Sequence, residues 1–255
     1  MSSDAAVPEL EPYGNLPRQV GEWWLPPGDG NGPLPTVVLV HGGFWRSKYD
    51  LTLEHAVAAD LAARGYLVWN VDYRSSESPW PSTLLDAAAA YDHLAVGRHR
   101  GLVDPERVSV VGHSAGGHLA LWLASRDRLP EDAPGAGRRG PRLAAAVSQA
   151  GVAALEDAAR AGLGNSAALL LVGGRPDELP ERYAVADPVA LVPTGVPTTC
   201  VHGEQDLDVP LSQSETYLAA AGPDARLVRF EGGHDEHLDP GSQACDAMRA
   251  ALAGA

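Results

Sequence analysis

Residues 112–116 read Gly112-His113-Ser114-Ala115-Gly116, between the apolar run Val108-Ser109-Val110-Val111 and a helix-like stretch over 116–126. A strand, a sharp turn carrying Ser, then a helix is the geometry that lifts a serine hydroxyl above the end of a sheet. The turn needs small residues on both sides, because a Cβ at Gly112 or Gly116 would obstruct the approach of strand and helix. Ser114 is therefore a candidate nucleophile. By itself the pattern is weak, because 28 of the 255 residues are Gly. A plain Gly/Ser turn closing a parallel strand would look the same, so the rest of the chain has to decide.

Outward from this turn, apolar runs alternate with helix-like segments. Strands are expected over 20–25, 36–40, 66–73, 108–111, 143–150, 198–202 and 226–231. Helices are expected over 53–64, 81–96, 116–126, 211–221 and 242–252. In the first helix Leu53, Val57 and Leu61 share one face, and Gly65 stands where a C-terminal cap would. Repeated strand–helix alternation implies an α/β fold: a mostly parallel sheet with right-handed crossovers and helices on both faces. Residues 128–142 read as a surface excursion. Residues 152–197, broken by Gly and Pro around a short helical piece, read as a short cap-like insertion. One domain over 1–255 is expected, since no second stretch carries its own core.

The formal net charge is −14, with 19 Lys+Arg against 33 Asp+Glu. That balance disfavours nucleic acid and anionic membrane as partners. No apolar run approaches the roughly 20 residues that span a bilayer, and residues 1–15 lack the pattern of a secretory signal, so a cytoplasmic location is expected. The two cysteines, Cys200 and Cys245, fall in a strand and a helix and read as buried free thiols. No Cys/His spacing suits a metal, and no cofactor is expected. The partner called for is a small-molecule ester or amide substrate. A homodimer is compatible with the sequence.

A serine hydroxyl needs a neighbouring base, and the base an orienting acid. After the strand 198–202 comes Val201-His202-Gly203-Glu204-Gln205-Asp206-Leu207-Asp208, which offers Asp206 and, in competition, Asp208. After the strand 226–231 comes Gly232-Gly233-His234, which offers His234 as base, with His237 as its competitor. After the strand 36–40 comes His41-Gly42-Gly43-Phe44-Trp45. There the backbone N–H groups of Gly43 and Phe44, with that of Ala115, are candidate donors to an oxyanion. Each segment directly follows an expected strand, where sheet ligands gather. Trp45, Tyr73 and Trp80 lie in strand exits and are candidates to line a substrate pocket. Trp122, on the helix after the turn, reads as core. Glu231, Asp235, Glu236 and Asp239 flank His234 in sequence, and nearby carboxylates favour imidazolium. A mildly alkaline activity optimum is expected from them.

These motifs resemble the α/β-hydrolase fold serine hydrolases of the esterase/lipase type. His41-Gly42-Gly43-Phe44-Trp45 is similar to the His-Gly-Gly-x-Trp loop of kynurenine formamidases. Gly112-His113-Ser114-Ala115-Gly116-Gly117-His118 resembles that branch and related small carboxylesterases. The likeness runs from about Pro35 to the C-terminus, and its spacing favours Asp206 over Asp208. It implies Ser114, Asp206 and His234 as a catalytic triad, Gly43, Phe44 and Ala115 as the oxyanion hole, and carboxylic-ester hydrolysis, with N-formyl aryl amide hydrolysis as the rival. Peptidases and acyl transferases share the fold. A non-catalytic binding protein of this fold would typically lack a triad member. Phe44 departs from the His-Gly-Gly-Gly form, and its ring is expected to narrow the acyl site.

Overall fold

The computed structural model describes residues 7–28 and 32–254. Among the described residues eight strands form one sheet: β1 Glu9–Pro12, β2 Val20–Trp24, β3 Leu34–Val40, β4 Leu67–Val71, β5 Val103–His113, β6 Leu143–Gln149, β7 Thr198–Gly203 and β8 Ala225–Phe230. Their spatial order is β1-β2-β4-β3-β5-β6-β7-β8. The pairs β1–β2 and β2–β4 are antiparallel. From β4 to β8 every pairing is parallel. This is the mostly parallel sheet of an α/β-hydrolase fold.

The strand sequences explain why both faces are covered. The central strands are mostly apolar at successive positions, so the two-residue alternation sends apolar side chains into two cores. Val38, Val40, Val108 and Val110 face one way, with α2 (Ser82–Asp92) and α3 (Ala115–Ala124). Val37, Leu39, Val111 and Val201 face the other, with α1 (His55–Ala63) and α8 (Gln243–Ala253). The expected helix over 53–64 is a 3-10 turn, Leu51–Glu54, leading into α1. Trp122 is fully buried, and its indole N–H donates to Val185 O at 2.8 Å.

Residues 152–197 hold three helices where one short piece was expected: α4 (Leu155–Ala161), α5 (Leu163–Val172) and α6 (Pro180–Ala186). The start of α5 is not regular, since Gly164, Asn165 and Ser166 all have positive φ. His118 Nε2, from α3, reaches Ala186 O at 2.9 Å and fastens α6 to the sheet's own helix layer. The helix α7 (Ser212–Ala221) precedes β8. Strand β1 was not expected at all. Cys200 and Cys245 are free and buried. Among the described residues no helix is long and apolar enough to cross a membrane.

Glu54, at the junction of the 3-10 turn and α1, is fully buried, and neither carboxyl oxygen has a partner among the described residues. Burial pushes its pKa up to about 8. Between the ordinary carboxylate value and about 8 the folded chain holds a proton that the unfolded chain has released. Stability contributed by this group is therefore present in acid and lost as pH rises. Replacement by Gln removes the ionisation. The Tm of Glu54→Gln relative to the parent should rise between pH 5 and pH 9, by the equivalent of a few kcal/mol, roughly. A gap that does not change with pH would contradict this account.

Candidate active site

The elbow forms as its sequence requires. Ser114 follows the last residue of β5 and has φ 55° and ψ −116°. A side chain of this type at positive φ is strained by roughly 1–3 kcal/mol. The turn is held by Ser114 N donating to Gln149 O at 2.8 Å, and by His118 N and Val152 N donating to Ser114 O, each at 3.2 Å. A Cβ at Gly112 would strike the Gly116 backbone, and one at Gly116 would strike Val40 O. The two glycines are thus required by the crossing of β5, α3 and β3.

Asp206 follows the end of β7 and His234 the end of β8. Their loops are joined by Glu204 N donating to Phe230 O at 3.0 Å and Gln205 N to Gly232 O at 2.9 Å. His234 Nδ1 lies 2.7 Å from Asp206 Oδ2. The Asp206 side chain is fully enclosed and that of His234 is 10% exposed. Oδ1 of Asp206 accepts from the N–H groups of Asp208 at 2.9 Å and Val209 at 2.8 Å. His202, itself buried, brings Nε2 to 3.4 Å from Oδ2. Burial alone would raise the Asp206 pKa. Hydrogen bonds from His202, His234 and Val209 N outweigh it and hold the carboxyl well below the usual carboxylate range.

Asp208 points its backbone, not its carboxylate, into this network. No hydrogen bond or ion pair among the described residues joins His234 to Glu231, Asp235, Glu236 or Asp239. The carboxylate on the ring is Asp206. The alkaline optimum expected from those four neighbours has no such contact behind it. His237 is fully buried, 5.4 Å ring to ring from His113, and neither of its nitrogens has a partner among the described residues.

Ser114 and His234 line one cleft of about 200 Å³ with Gly43, Phe44, Tyr49, Leu53, His113, Asp208, Asp235 and Leu238. No hydrogen bond joins Ser114 to His234 among the described residues; the shared cleft brings them together. Gly43, Phe44 and Trp45 all have positive φ, at 104°, 50° and 54°. Among the described residues the N–H groups of Gly43 and Phe44 have no acceptor. Ala115 is the first residue of α3, where a helix leaves its N–H unpaired. The Phe44 ring lies against Gly164 at the start of α5, and Arg46 Nη2 donates to Gly164 O at 2.7 Å.

The three candidate pocket aromatics are not brought to the cleft. Trp45 is buried in the core, edge-on to His118. Tyr73 is also buried, continuing the face of β4 that carries Trp69 and Val71. Its ring stacks on His41 at 4.3 Å and its hydroxyl donates to His41 O at 2.9 Å, so it supports the Gly-rich loop from below. Trp80 lies under the Arg182 guanidinium, 5.6 Å from its ring centre. The apolar lining comes instead from Phe44, Tyr49, Leu53 and Leu238; of these only Leu53 falls in a periodic stretch, and that period marks a helix face and not a cleft.

Sheet order and elbow define an α/β-hydrolase fold. The chain belongs to the BD-FAE family, whose model matches residues 24–220. Among its relatives, a probable isoprenylcysteine alpha-carbonyl methylesterase of Oryza sativa subsp. japonica is 29% identical over 243 residues, covering 86% of this chain and 56% of that protein. Esterase LipC of Mycobacterium tuberculosis is 29% identical over 220 residues, covering 81% of this chain and 53% of that protein. The chain thus spans about half the length of these curated relatives. In fold it is similar to esterase B from Lactobacillus rhamnosis, with a TM-score of 0.82 at 19% identity over 98% of this chain and 86% of that one.

Proposed function

We propose that this chain cleaves carboxylic esters through an acyl-enzyme on Ser114. The observation that carries the reading is the 2.7 Å contact of Asp206 with His234 Nδ1 in a cleft shared with Ser114. With Nδ1 donating to an ionised carboxylate, Nε2 of the neutral ring is the bare nitrogen and accepts the Ser114 proton. Oγ attacks the acyl carbon, and the carbonyl oxygen gains negative charge within reach of the Gly43, Phe44 and Ala115 N–H groups. The protonated His234 then delivers its proton to the leaving alcohol. Water, activated by the same ring, releases the acid and restores Ser114. Hydrogen bonds between nucleophile and base commonly tighten only when substrate is bound. The names of the relatives, esterases throughout, favour esters over formamides.

The insertion 152–197 fits a cap-like role, because Gly164 meets Phe44 and Arg46 at the Gly-rich loop. The test is one panel of p-nitrophenyl esters of increasing acyl length beside N-formylkynurenine. Ester turnover dominated by short acyl groups is expected from a cleft of about 200 Å³. Formamide turnover far exceeding ester turnover would overturn the reading.

The leaving alcohol must lie beside His234 to be protonated, and Asp208 and Asp235 line the same cleft. Neither has a cationic partner among the described residues. A leaving alcohol bearing a carboxylate should therefore react with kcat/KM about five- to tenfold below its neutral isostere at low salt. The ratio should shrink at high salt and in Asp208→Asn. Steady-state rates on one matched ester pair measure it.

A further inference from the structure

His113, the residue before the nucleophile, is buried, and none of the steps above uses its side chain. Its Nε2 lies 3.0 Å from the backbone oxygen of His234. A carbonyl oxygen only accepts, so Nε2 carries the proton. Nδ1, on the other edge, has no partner among the described residues. A Cβ built on Gly42 would stand 3.2 Å from that Nδ1 and 3.0 Å from Ser114 Cβ. One imidazole therefore touches the Gly-rich loop, bonds to the loop of His234 and is covalently next to Ser114. Burial, with the neighbouring His234 second, pushes its pKa down to about 3. The ring stays neutral, and its single N–H stays committed to His234 O, across the range where an esterase works.

We propose that His113 is a positioning residue, whose Nε2–H holds the His234 backbone and so sets the base against the Ser114 elbow and the oxyanion loop. The proposal rests on the ester-hydrolase reading of Ser114 and His234. Without the donor, the His234 carbonyl loses its partner and the loop is free to shift. A displacement near 1 Å costs on the order of 100-fold in rate. A merely structural role would lower Tm and the fraction of competent enzyme. It would leave turnover per competent site unchanged.

The experiment compares the parent chain with His113→Phe and His113→Gln. Competent sites are counted with a fluorophosphonate, and kcat per counted site is measured on the best p-nitrophenyl ester. For His113→Phe, kcat should fall about 10–100-fold with KM within about threefold. His113→Gln, whose amide can donate, should recover a clear part of the loss. A Phe variant within about twofold of the parent kcat, or a Gln variant no better than Phe, would overturn the proposal. Nitrogen-15 NMR of the parent chain needs no variant. It should show His113 neutral and protonated on Nε2 at pH 7, and an Nδ1–H tautomer or an imidazolium overturns the proposal even if both variants fail to fold. Absence of fluorophosphonate labelling in the parent chain is a separate outcome, which overturns the hydrolase reading and the proposal with it.

Discussion

Ser114→Ala should lower kcat on p-nitrophenyl esters by on the order of 10⁵-fold or more, to the level set by binding and oxyanion stabilisation alone. The change removes only Oγ. The backbone contacts that hold the elbow, to Gln149 O and from His118 N and Val152 N, do not involve the side chain. Ala keeps the same Cβ at φ 55°, so the strain of the turn is neither relieved nor increased. Tm is therefore expected within a few degrees of the parent, and circular dichroism should be unchanged. Fluorophosphonate labelling should disappear together with turnover. Activity retained within about tenfold of the parent would mean that another group attacks the acyl carbon, and the Ser114 assignment would fail.

The parts of the site that were legible in the sequence share one property. Gly112-His113-Ser114-Ala115-Gly116, His41-Gly42-Gly43, Asp206 and His234 each stand at the end of a strand or within four residues of it, and close backbone approach restricts which residues can stand beside them. Steric demands of that kind leave marks in a linear chain. The cleft wall leaves fewer: Leu53 shares a helical period with Val57 and Leu61, but the period does not say that it faces a cleft. Tyr49 and Leu53 come from the irregular run between β3 and α1, and Leu238 from a 3-10 turn after His234. Which way they point is decided by tertiary packing. Tyr73 misleads for a related reason: a strand exit alternates between core and cleft, and its parity with Trp69 and Val71 sends it to the core. Strand β1 escaped because Glu9-Leu10-Glu11-Pro12 is too short to show alternation. The three helices of 152–197 escaped because Gly and Pro interrupt them, and α5 begins with left-handed residues that no helical pattern anticipates.

Asp206→Asn should lower kcat by roughly 10³–10⁴-fold while the chain still folds. The reason lies in the donors that converge on this side chain. The carboxylate accepts from Asp208 N and Val209 N on one oxygen and from His234 Nδ1 on the other, with His202 Nε2 3.4 Å from that second oxygen. His202 Nε2 also lies 2.9 Å from Val209 O, an acceptor only, so it carries a proton. An Asn that keeps its oxygen toward the two backbone N–H groups presents its NH₂ to two imidazoles. His234 then serves as the acceptor through Nδ1 and carries its proton on Nε2, the nitrogen that has to receive the Ser114 proton. The wrong tautomer removes the base without moving it. Stability should change as well. The native carboxyl sits well below the usual carboxylate range, so its contribution is present above that range and is lost as pH falls through the folded value. The Tm deficit of Asp206→Asn against the parent should therefore be full at pH 7 and narrow in strong acid. A variant with kcat near the parent's would show that Asp206 does not orient the base.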